Sequence, residues 1–131
     1  MKRSILALAV GLLSWFLVAT VANWVVRLGV PGYATSEPSM LFTLPMLAAR
    51  LVAGACASLA AGLVAARLAP GHPRIPLALG GLLLLLFLPV HYGLWSKFPV
   101  WYHAVFLLSL VPLVWAGARM TRQAGAASRL P

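Results

Sequence analysis

Residues 41–68 read LFTLPMLAARLVAGACASLAAGLVAARL, and this run decides the fold. Arg50 and Arg67 are its only charged side chains. At about 1.5 Å of rise per residue, a helix of this length exceeds the roughly 30 Å hydrocarbon core of a bilayer. Within it Gly54, Ser58, Gly62 and Ala66 recur every four residues, with Ala53, Ala57, Ala61 and Ala65 beside them. Residues four apart stack on one face of a helix, so that side is nearly smooth. Lipid gives no hydrophobic drive between helices, and close backbone contact along such a seam supplies association instead. The helix is therefore expected at the centre of a bundle or at a homodimer interface, and a four-helix chain has neighbours enough to bury the seam internally. Cys56, in the same stretch, reads as a small buried filler rather than a reactive thiol.

Working outward, three more stretches are long and apolar enough to cross: about Ser4 to Val26, about Ile75 to Trp95 and about Pro99 to Arg119. Turn signals separate them at Gly29, Pro31 and Gly32, at Pro70, Gly71 and Pro73, and from Ser96 to Pro99. The composition agrees, since 63% of the 131 residues are apolar and 8% charged, against roughly 25% charged in ordinary soluble domains. A soluble fold of this size lacks the interior to hide that much apolar surface. The expected architecture is an all-α polytopic membrane protein. Four transmembrane helices, at 4–26, 41–68, 75–95 and 99–119, form an antiparallel bundle in one domain over 1–131, with a basic tail at 120–131.

Orientation follows the basic residues. With the N-terminus inside, Lys2, Arg3, Arg67, Arg74, Arg119, Arg122 and Arg129 fall on the cytoplasmic side, against Arg27 and Lys97 outside. Both termini are thus expected in the cytoplasm. The net charge of +9 reads as topogenic charge attracted to anionic lipid headgroups, not as a nucleic-acid surface. A rival reading takes Lys2-Arg3, the apolar run and Thr20-Val21-Ala22 as a cleavable signal peptide, but the apolar character continues to Val26.

Trp24, Tyr33, Phe42, Tyr92, Trp95, Phe98, Trp101 and Tyr102 all fall near the outer helix ends, as an aromatic belt at the headgroup layer would; a ligand-stacking platform would use the same residues. Pro45, Pro89 and Pro112 lie inside the predicted helices and should kink them, freeing the carbonyls of Leu41, Leu85 and Leu108.

The remaining polar residues are few. Arg50 sits within the second span, where an arginine costs roughly 2.5 to 3.5 kcal/mol on insertion scales and so wants a partner or water. The chain's single carboxylate is Glu37, in the first external connection. Arg50, Glu37 and Asn23 are expected to form an outer polar cluster, with a direct Arg50–Glu37 pair as one reading and Arg50 snorkelling to headgroups or binding an anionic lipid as the other. The string from His91-Tyr92 to Tyr102-His103 is mirrored about Lys97, so a tight hairpin there would bring both histidines to similar depth. Two imidazoles facing each other could ligate a metal or haem iron or pass a proton, yet two ligands do not complete a metal site, and His72 is predicted at the opposite side. Interfacial histidines bonded to a tyrosine or carbonyl are the plainer alternative. No cofactor is assigned.

One carboxylate rules out paired-acid catalysis, and with one cysteine there is no intramolecular disulfide and no C-x-x-C redox pair. Gly-rich phosphate loops and Ser-His-Asp sets are missing from the sequence too, so an enzyme is not expected. The runs Phe42-Thr43-Leu44-Pro45-Met46, Phe87-Leu88-Pro89-Val90-His91-Tyr92 and Lys97-Phe98-Pro99-Val100-Trp101-Tyr102-His103 resemble those of small, uncharacterised four-helix bacterial integral membrane proteins. That resemblance implies a bacterial inner membrane and carries over no catalytic residue. Two functional expectations stand: a non-enzymatic membrane protein, structural or accessory to a membrane-protein partner, or a small carrier or redox protein using the outer polar cluster.

Overall fold

A computed structural model of the protein describes residues 1–129, and among them the only regular elements are helices. The order is α1 (Lys2–Gly29), α2 (Tyr33–Ser36), α3 (Leu44–Leu68), α4 (Arg74–Gly93) and α5 (Val100–Ala127). All but α2 are long and apolar enough to cross a membrane. Large apolar side chains such as Leu13, Leu17, Leu85 and Leu108 stay exposed on the outside of the bundle.

The boundaries correct the sequence reading at three places. Pro45 does not kink a helix; it lies in the first turn of α3, where a missing N–H costs nothing because that donor would have no intrahelical partner. Pro89 and Pro112 do lie inside α4 and α5. The tail read at 120–131 is helical to Ala127, as α5 carries on past Arg119 through residues of good helix propensity such as Met120, Gln123 and Ala124; residues 130–131 lie outside the described part. The first connection, where the sequence reading placed no helix, contains the single turn α2, entered through Gly32 at φ +78°, a left-handed conformation that glycine adopts without strain.

Helix α3 packs on α1 and α5, α5 packs on α4, and α1 meets α4 over a shorter length. The α3–α5 approach is backbone to backbone: a Cβ on Gly62 would overlap the Val114 carbonyl, and one on Gly117 would overlap the Leu59 carbonyl. Gly54 makes room for the Phe106 ring, and Ala61 and Ala65 lie against Gly11 of α1. Of the expected seam, Gly54, Ser58 and Gly62 are buried and Ala66 half-buried, while Ala57, Ala61 and Ala65 are completely enclosed. Cys56 is exposed on the outer face of α3 and fills no core space, which corrects the expectation made for it. The side chain points away from the α1–α5 groove that takes the neighbouring Ala57 and Ser58.

Candidate functional site

The C-terminal ends of α1 and α4 and the N-terminal ends of α3 and α5 carry a polar cluster sheathed in aromatic rings. Its centre is Arg50. The Nη1 group donates to Tyr33 Oη at 2.7 Å and Nε donates to Tyr102 Oη at 3.3 Å. The guanidinium also lies over the faces of Phe42 and Phe98, 4.9 and 5.8 Å from their centroids. Hydrogen bonds to a charged group are worth about 1.5 to 3 kcal/mol each, so two of them with two ring faces are of the size that would offset the roughly 2.5 to 3.5 kcal/mol an arginine costs where a helix crosses a bilayer.

No carboxylate pairs with Arg50 among the described residues. Glu37 Oε2 instead meets Arg27 Nε at 2.9 Å, and Oε1 accepts from Asn23 Nδ2 at 3.2 Å. Tyr33 links the halves by donating to Asn23 Oδ1 at 3.1 Å. The direct Arg50–Glu37 pair is thus replaced by a relay in which every donor points from Arg50 through Tyr33 and Asn23 to Glu37. Arg27 wins the carboxylate because it lies at the end of α1 beside the connection that carries Glu37, whereas Arg50 is almost two turns into α3.

Local sequence explains these placements. The Gly32 turn swings Tyr33 back over the bundle, where it is fully buried and stacked on Phe42 at 5.1 Å. Pro99 starts α5 and sets Tyr102 and His103 in its first turn, both buried. The hairpin does bring His91 to His103, with the two Nδ1 atoms 2.7 Å apart. Two nitrogen ligands on a tetrahedral metal with bonds of about 2.0 to 2.1 Å stay about 3.3 Å apart, so the pair as placed is a hydrogen bond and not a ligand set. One ring donates and the other accepts. His103 Nε2 is enclosed without a partner, and the arrangement that orphans no donor has His103 giving its Nδ1 proton to His91. His91 then keeps an Nε2–H. Trp95 stacks on His103 at 4.8 Å, and Phe106 on His91 at 4.6 Å. His72 lies in the α3–α4 connection with its Nδ1 3.1 Å from the Pro70 carbonyl, away from this cluster.

Beside the cluster is a partly open cavity of about 260 Å³. One wall is Trp15, Phe16, Ala19 and Asn23 of α1; the other is Phe87, Val90 and His91 of α4 with Leu94 just past its end; Arg50, Gly54, Tyr102 and Phe106 back it. Trp15 and Phe87 touch at 4.7 Å and close one end, and small Ala19, one turn on, leaves the helices apart. The floor is fixed, since Trp15 Nε1 donates to Ser58 Oγ at 3.0 Å and Ser58 donates to the Gly54 carbonyl at 2.8 Å. The polar lining is rich in donors. Arg50 spends two N–H groups on tyrosines, of the five a guanidinium has. Tyr102 Oη accepts from Arg50 and donates to no described residue. Asn23 has its amide oxygen and nitrogen engaged.

Sequence reasoning named Arg50, Glu37, Asn23, His91 and His103, and all five lie in this region. It missed Tyr33 and Tyr102 as ligands of Arg50 and Trp15, Phe87 and Phe106 as cavity walls. Tyr33, Phe98 and Tyr102 were assigned to the aromatic belt but are buried, whereas Trp24, Tyr92, Trp95 and Trp101 are exposed. No protein-family profile matches the chain, and neither a curated protein nor a solved structure matches it.

Proposed function

We propose that this is a non-catalytic, four-span protein of the bacterial inner membrane, with its helices antiparallel and both termini cytoplasmic, that holds a small amphiphilic molecule in the cleft between α1 and α4, as a carrier or as an accessory to a membrane partner. One observation carries the reading: the cavity joins an aromatic floor at Trp15 and Phe87 to a donor-rich end at Arg50, His91 and Tyr102. Apolar pockets with a few convergent polar groups are the common form of small-molecule site. Phe16 and Val90, half exposed on the cleft rim, give the bound molecule an apolar flank. The excess of Lys and Arg at the opposite end supports the orientation, with the cleft in the outer half of the bilayer.

The test is to purify the full chain in a mild detergent and record native mass spectra with its absorption spectrum, alongside reporter fusions at residues 35, 72 and 97. Retention of a small amphiphile that is lost when Ala19→Trp fills the cleft supports the reading, as do external reporters at 35 and 97 and an internal one at 72. A chain free of bound amphiphiles, or an inverted reporter pattern, overturns it.

A further inference from the structure

The cleft holds an excess of positive charge that the chain itself does not neutralise. The single carboxylate is taken by Arg27, and Arg50 is left with phenols and ring faces. Arg50, with three guanidinium N–H groups not bonded to the protein, Tyr102 and His91 line the cavity end beside Asn23, and each carries a group that can donate. A cation held away from water and unpaired by an acid is compensated by an anion, and the planar guanidinium fork matches a carboxylate in two parallel hydrogen bonds.

Size narrows the class. About 260 Å³ lies just under the roughly 300 to 1,000 Å³ of drug-sized pockets. That space takes a compact head and the start of one chain, not a glycerophosphate head with two acyl chains. We infer that the cleft binds the carboxylate of a single-chain amphiphile of the fatty-acid class, with Arg50 as counter-ion and the tail running over Trp15 and Phe87 and past Phe16 into lipid. This deepens the proposed function and rests on the cleft being a binding site.

The experiment uses the full chain in nanodiscs of phosphatidylcholine, titrated with a dibrominated stearate while tryptophan fluorescence is followed. The expected result is saturable quenching whose main component vanishes in Trp15→Phe. Palmitate should compete, and palmitate methyl ester and phosphatidylglycerol should not. Arg50→Gln should weaken binding about tenfold or more, as loss of a charge-assisted pair does, and Arg119→Gln at the far end should leave it unchanged. If the methyl ester competes as well as palmitate, the carboxylate assignment is wrong although the cleft still binds an amphiphile. Equal competition by phosphatidylglycerol overturns the single-chain assignment. The absence of saturable quenching removes both this inference and the functional reading beneath it. Should Arg50→Gln fail to fold, the ester comparison on the unaltered chain decides.

Discussion

Arg50 donates to the phenolic oxygen of Tyr33 at 2.7 Å, and Tyr33 in turn donates to Asn23, so one hydroxyl joins the half-buried arginine of α3 to the side chain that holds Glu37. The link is directional. Each donor faces the carboxylate, which lets positive and negative charge polarise the same chain of bonds without touching.

Tyr33→Phe removes the acceptor of Arg50 and the donor of Asn23 together. The expected loss is about 1.5 to 3 kcal/mol, the range for hydrogen bonds to charged groups. Glu37→Gln should cost less, within about 1 kcal/mol, because the Arg27 and Glu37 side chains are 35% and 25% exposed and solvent screens the pair. Reversible unfolding in mixed micelles gives the ranking. A Glu37 variant less stable than the Tyr33 variant would show that the carboxylate, not the phenol, organises the cluster.

The histidine pair predicts a non-additive result. His91→Leu leaves His103 with both ring nitrogens enclosed and unpartnered, at a cost of about 1 to 3 kcal/mol. Replacing both histidines with leucine removes donor and acceptor at once and should recover most of that loss, since an apolar pair leaves nothing unsatisfied. A double variant as unstable as the sum of the singles would mean the rings are held by packing on Trp95 and Phe106 rather than by each other.

The four long helices were legible in the sequence because each is an apolar run of about the length a bilayer crossing needs, with few polar groups to interrupt it. The small residues of α3 were legible for a related reason, as close approach leaves a four-residue period. Other features were not. Tyr33 and Tyr102 look like belt residues from sequence, because a ring that anchors in headgroups and a ring that folds back over an arginine are the same amino acid at the same depth. Pro45 could not be placed within a kink or a helix start without knowing where α3 begins. Gly117 opens a short Gly117, Thr121, Gly125 spacing that was passed over, and its need to be glycine comes from the Leu59 carbonyl on another helix. The Arg50–Glu37 pairing failed on a competition that composition does not reveal, since Arg27 is nearer in the fold.

Glycine contacts give a contrast among helix positions. Gly62→Ala and Gly117→Ala each drive a methyl into a facing carbonyl and must separate α3 from α5, for a loss of about 1 to 3 kcal/mol or more. Gly81→Ala meets open space and should stabilise by about 0.5 to 1 kcal/mol, because alanine loses less backbone entropy on forming a helix. Its neighbour Gly80, whose Cβ would stand 2.9 Å from the Val111 Cα, should behave like Gly62. Unfolding measured for the four variants checks the pattern, and a destabilised Gly81→Ala would place an unseen partner against that face of α4.

Cys56 tests the surroundings of α3 directly, since it is the only thiol in the chain and accepts a nitroxide label without other changes. It lies at the middle of the 25 residues of α3, on the exposed side. At about 1.5 Å per residue it stands close to 18 Å from either helix end, so in a spanning helix it falls near the bilayer midplane. A label there should collide often with dissolved oxygen, which concentrates in hydrocarbon, and rarely with a charged nickel chelate, which stays in water. Low collision rates with both would mean the side chain is covered, by a second copy or a partner lying on that face. Frequent collision with the chelate would place the middle of α3 in water and overturn the membrane-spanning reading of this helix.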